Sequence, residues 1–162
     1  MALEELGLAY DLGLLRLVRP VRVRPVAVAS RAESWDLVRP GGMGTILGWG
    51  GTVSGLARSD LLLRADIHFT ELGIVGTHIA YRTPRGGPCG GDSGGPLLVM
   101  GHDGKPVLVG VASITDGNLC AAGGGTAGYT DVSAMLDFIR EHVPDLPERL
   151  PPLEFGRPLA TR

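Results

Sequence analysis

An all-β fold is what this sequence predicts, on three observations. Glycine supplies 26 of the 162 residues, about twice ordinary usage. Aromatic residues are few, and this composition suits short strands joined by tight turns better than long helices. Apolar residues fall in short runs, several of period two, bounded by glycine, proline and aspartate. The length is that of one ordinary domain with a real core. A net charge of −2 with both signs interspersed gives no basic stripe for nucleic acid, and no apolar run nears the roughly 18 to 20 residues that span a membrane. No nucleic-acid or membrane partner is expected, and nothing in the sequence asks for a cofactor or a metal.

Taken in order, residues 12–18 (LGLLRLV) and 21–29 (VRVRPVAVA) read as strands, with Pro25 arguing for an edge or a bend. Residues 39–44 form a turn, and 45–50 (TILGWG) a strand running into a glycine corner. In 61–69 (LLLRADIHF), Leu61, Leu63, Ala65 and Ile67 alternate with Leu62, Arg64, Asp66 and His68, the period of a half-buried strand. A short strand follows at 78–82. Residues 96–100 and 106–113 flank a GHDGK turn and predict a hairpin. A glycine-rich loop at 116–126 leads into a strand at 127–132. Val132, Met135, Leu136, Ile139 and Val143 then fall at helical spacing, with Thr130 or Asp131 placed to cap. The tail from 144 to 162 is proline-rich and reads as an extension.

The chemistry concentrates in residues 89–96, CGGDSGGP. A serine among four glycines brings its hydroxyl and the neighbouring backbone N–H groups close to a substrate carbonyl, because no Cβ obstructs the approach. Ser93 is the predicted nucleophile. A serine hydroxyl needs a base to take its proton as it attacks, and the base needs an acceptor that fixes its tautomer. Gly91–Gly95 also fits the G-x-S-x-G elbow of α/β-hydrolases. That elbow requires a helix directly after the serine, whereas a strand is predicted here.

CGGDSGGP resembles the serine loop of the trypsin/chymotrypsin-like serine proteases. Three further blocks are similar to that family in the same order: YDLGLLRL at 10–17 to its aspartate segment, LGWGGT at 47–52 to its GWG turn, and GYTDVSAMLDFI at 128–139 to its last strand and helix. The resemblance implies a serine endopeptidase acting on protein or peptide substrates through an acyl-enzyme. It implies Asp11 as the acceptor behind the base and the N–H groups of Gly91 and Ser93 as the oxyanion hole. Asp92 is the residue that, in the family, pairs with a new N-terminal ammonium on activation. Here it is expected to be solvated or paired elsewhere, leaving a zymogen-like loop. Gly87, Thr115 and Ala127 match the specificity pocket. With no acid at its floor, that pocket disfavours Arg and Lys and suits small or medium apolar side chains, although Asp116 stands at the rim and Ile114 replaces the family's usual aromatic residue.

Cys89 and Cys120 are the only cysteines, and they read either as two buried thiols or as one bridge closing a loop of about thirty residues. The resemblance implies the bridge, and with it secretion or another extracytoplasmic site. Met1 is not followed by a signal peptide. The family's general base is a histidine upstream of the aspartate segment, and nothing before Asp11 supplies one. His68, His78, His102 and His142 do not match its position. The resemblance therefore implies the second half of a two-barrel protease, with the first six-stranded barrel largely missing. Residues 1–37 would form an inter-barrel segment, 38–143 the second barrel with its terminal helix, and 144–162 a tail. Such a chain is expected to be nearly inactive alone and to self-associate through the face left bare. Two alternatives remain: a non-catalytic protease homologue that binds partners, and an α/β-hydrolase esterase pairing Ser93 with His142.

Overall fold

The computed structural model describes residues 9–52, 55–83, 86–115 and 125–146. Among the described residues, ten strands and two α-helices follow in the order β1 (Ala27–Val28), α1 (Arg31–Leu37), β2 (Met43–Gly48), β3 (Gly51–Thr52), β4 (Gly55–Arg58), β5 (Leu63–His68), β6 (Glu71–Val75), β7 (His78–Thr83), β8 (Pro96–Met100), β9 (Pro106–Thr115), β10 (Gly125–Asp131) and α2 (Leu136–His142).

The main sheet runs β5-β2-β8-β9-β10-β7-β6 and every neighbouring pair along it is antiparallel. Its two ends are one strand. Only Phe69 and Thr70 separate β5 from β6, and the Thr70 N–H donates to Arg82 O at 3.1 Å. A bent strand thus pairs with β2 through its first half and with β7 through its second, closing six staves into a barrel and removing the open edge. Register shifts at Leu97/Leu98 and Gly128/Tyr129 supply local bends of the kind a tight barrel needs.

The alternation in the sequence fills the interior. Ile46, Ile67, Ile79, Leu97, Val99, Val107 and Val109 are buried together. An aromatic row runs through them, with Phe69 edge-on to Tyr81 at 5.4 Å and Tyr81 stacked on Tyr129 at 5.9 Å. On β5, Ile67 is buried while Arg64, Asp66 and His68 face water, as period two requires.

Several elements differ from the sequence expectation. Residues 12–18 are in no ladder, and of 21–29 only Ala27–Val28 pairs, in parallel with Val107–Leu108 of β9. Pro20 and Pro25 have no N–H to give a ladder, which limits pairing along this stretch. Helix α1 was not expected. It begins with a capping box in which Ser30 Oγ accepts from the Glu33 N–H at 3.3 Å and the Glu33 carboxylate accepts from the Ser30 N–H at 3.1 Å. The C-terminal helix starts as a 3₁₀ turn, Val132–Met135, before α2. Asp131 caps that turn through the Ser133 N–H at 2.9 Å and also accepts from Ser34 Oγ of α1 at 3.2 Å. The loop expected at 116–126 lies outside the described residues through 124, as does the tail from 147.

Candidate active site

Ser93 sits on the loop between β7 and β8. The loop is shaped by two turns: the Asp92 N–H donates to Cys89 O at 3.0 Å and the Gly95 N–H to Asp92 O at 2.8 Å. Gly91 takes φ +99° in the first, a conformation that side chains resist. The loop is then sewn to β9, with the Gly94 N–H donating to Ala112 O at 2.9 Å and the Ala112 N–H to Gly95 O at 2.8 Å. The outcome is an exposed Ser93 hydroxyl. Neither the Gly91 nor the Ser93 N–H, the two predicted oxyanion donors, is taken by another described residue.

Asp92 turns away from the serine. Its Oδ1 accepts from the Gly50 N–H at 2.7 Å and its Oδ2 from the Cys89 N–H at 2.9 Å. This contact explains the glycines of the LGWG corner, since a Cβ on Gly48 or Gly50 would overlap the Asp92 carboxylate. The acid also lines a cavity of about 230 Å³ with Gly48, Gly87 and Tyr129. Burial, with the Asp92 charge adding to it, holds the phenol of Tyr129 far above its usual range and so neutral.

Asp11 reaches the same region from the N-terminal segment. Its Oδ2 accepts from Ser113 Oγ at 2.7 Å, and its backbone carbonyl accepts from Thr130 Oγ1 at 2.7 Å. Two residues earlier, the carbonyl of Ala9 accepts from Thr77 Oγ1. Ser113 and Ser93 line one small cleft of about 20 Å³ with Cys89 and Ala112. Ser113 thus hydrogen-bonds the aspartate and borders the same cleft as Ser93. Nothing near it in sequence marks it, because its partner lies 102 residues away.

Of the pocket residues, Thr115 and Ala127 are partners across β9 and β10 and line a common cavity of about 250 Å³, whereas Gly87 lines the separate cavity that holds Asp92. Ile114 stands beside Thr115 in the first of these. Asp116 and Cys120 lie outside the described residues. Cys89 is buried, and no free cysteine occurs among the described residues. A wider groove of about 400 Å³ opens beside Ser93, walled by Leu47, Trp49, Leu62 and Pro96.

Among the described residues no histidine hydrogen-bonds Ser93. His68 is exposed on β5, His78 is buried at the start of β7, His102 contacts Asp36 at 2.6 Å, and His142 contacts Phe138 O at 2.9 Å. The esterase alternative fails on the element after the serine. Strand β8 begins at Pro96, where an α/β-hydrolase elbow needs a helix.

A closed antiparallel barrel with a glycine-flanked serine on the loop between two of its strands is the arrangement of the chymotrypsin-like fold. A sequence profile of the trypsin family matches residues 3–139, and the chain belongs to that family of serine proteases. Among curated proteins it is 29% identical over 155 residues to a trypsin of Saccharopolyspora erythraea, covering 86% of this chain and 63% of that protein. It is 30% identical over 138 residues to a proclotting enzyme of Tachypleus tridentatus, covering 75% of this chain and 35% of that protein. Serine protease 1 of Drosophila melanogaster is 36% identical over 103 residues, covering 59% of this chain and 37% of its own length. The chain therefore spans less than two thirds of each of these relatives.

Proposed function

We propose that this chain carries the nucleophile, the oxyanion donors and the aspartate of a serine endopeptidase, and that its general base is a histidine outside these 162 residues. The observation that carries the reading is the pairing of an exposed Ser93 hydroxyl, flanked by the open N–H groups of Gly91 and Ser93, with an Asp11 carboxylate held through Ser113. The family places its histidine ahead of the aspartate segment, and each relative is longer than the region matched. Catalysis would run by attack of Ser93 Oγ on a peptide carbonyl. Its proton would pass to the base, and the oxyanion would be met by the two N–H groups.

Asp92, satisfied by Gly50 and Cys89, fits a zymogen-like loop. Gly87, Thr115 and Ala127 would form a pocket without an acid at its floor and so favour small or medium apolar side chains. A Cys89–Cys120 bridge would tie the serine loop to the strand-entry loop, consistent with secretion. The exposed apolar side chains of residues 14–26, among them Leu15 and Val18, fit a surface on which a further barrel packs and through which the chain self-associates without it. A reading as a non-catalytic binding module is favoured only by the lack of a histidine at Ser93.

Labelling with a fluorophosphonate probe tests the assignment. Slow modification, mapped to Ser93 and abolished in Ser93→Ala, is expected. Rapid stoichiometric labelling would place a base within the chain, and labelling that survives Ser93→Ala would remove Ser93 as the nucleophile.

A further inference from the structure

We propose that residues 12–26 are a docking surface for a sulfated polysaccharide, engaged through Arg16, Arg19, Arg22 and Arg24. The chain's 15 basic residues are outnumbered by 17 acidic ones, yet no acid falls between Asp11 and Glu33. All four arginines are exposed, and among the described residues none of them makes an ion pair or a side-chain hydrogen bond. The stretch that follows shows the ordinary alternative, in which Asp36 meets Arg39 at 3.7 Å and His102 at 2.6 Å. Like charges set close together without counter-charges repel, and a polyanion relieves that repulsion.

The backbone presents the four side chains as a strap. It is fastened at Asp11, whose carbonyl and carboxylate accept from Thr130 and Ser113 at 2.7 Å, and again at Ala27–Val28, which pairs with Val107–Leu108 of β9. Ser113 and Val107 lie about 20 Å apart along one strand, whereas residues 12–26 can reach about 50 Å. The segment has slack to stand off the barrel, and it is exposed from Gly13 to Val26 with no helix or strand. Pro20 and Pro25 restrict it, so less ordering remains to be done on binding. From Arg16 to Arg24 it offers guanidinium forks over no more than about 28 Å, a row that suits a linear polyanion better than a single ion. Residues 12–30 hold no aromatic side chain on which a base could stack and no helix that would sink an apolar face among lipid headgroups. A sulfated chain asks for neither. The apolar side chains between the arginines are those assigned above to protein contact, and a polyanion engages the guanidinium groups instead.

Titration of the 162-residue chain with heparin, followed by calorimetry, tests this. Binding is expected at about 50 mM NaCl, and four charge contacts should weaken it about fiftyfold to a hundredfold by about 200 mM. Arg22→Gln combined with Arg24→Gln alters only exposed, unpaired side chains and so leaves the fold intact. That variant is expected to lose about tenfold at the lower salt and about half of the salt slope. Arg39→Gln, at an exposed arginine outside the strap, should leave the affinity unchanged. Failure of heparin to bind, or an equal loss in Arg39→Gln, would overturn the proposal. Duplex DNA that binds as tightly, with the same loss in the double variant, would overturn it too and make the strap a nucleic-acid surface. None of these readouts involves Ser93, so the proposal and the protease reading fail separately.

Discussion

The Asp92 carboxylate is where one side chain and two distant backbone groups decide the shape of the serine loop. Held by the Gly50 and Cys89 N–H groups, it draws the turn that leaves Ser93 exposed. Gly50→Ala would drive a Cβ into that carboxylate, and the lost hydrogen bonds to a charged, half-buried group cost about 1.5–3 kcal/mol each. A lower denaturation midpoint is the expected outcome, measured by chemical unfolding. An unchanged midpoint would show that Asp92 is not held through this corner. Ser93 itself was legible because everything that marks it lies within eight consecutive residues. The destination of Asp92 was not, since Gly50 is 42 positions away and no local pattern encodes so distant a contact. Ser113 was missed for the same reason.

At the scale of elements, period two located β5, one face of which meets the barrel interior, and the turn residues that bound the other short apolar runs located β7, β8, β9 and β10, all to within a few residues. The alternation of residues 21–26 misled for a physical reason: a period-two pattern marks faces, and here neither face is buried. Helix α1 had a readable signal in Ser30 and Glu33, the two ends of a capping box, but seven residues carry too little apolar periodicity to draw attention. The stretch 14–26, which forms no helix or strand, now stands as the segment with most to gain from a partner. Leu15, Leu17, Val18 and Val23 are each more than 60% exposed, and exposed apolar rows of that length drive association. Sedimentation velocity is expected to show species larger than the monomer that grow with concentration and recede when Leu15 and Val18 are replaced by Ser. A single monomer at every concentration would contradict a docking role for this stretch.

For the whole molecule, the closed barrel and the trypsin-family match fix the fold, and the sequence had announced both through its four ordered blocks. How the barrel closes was out of reach, because it depends on β5 and β6 being one bent strand shared by β2 and β7. On the proposed reading the site awaits one proton acceptor: Ser93, the Gly91 and Ser93 N–H groups and Asp11 are its other members, and no histidine hydrogen-bonds Ser93 among the described residues. Added imidazole tests that most directly, by the rate at which a fluorophosphonate labels Ser93. The account predicts a saturable acceleration by imidazole that is weakened in Asp11→Asn and absent in Ser93→Ala. A Ser93 labelling rate indifferent to imidazole would contradict it.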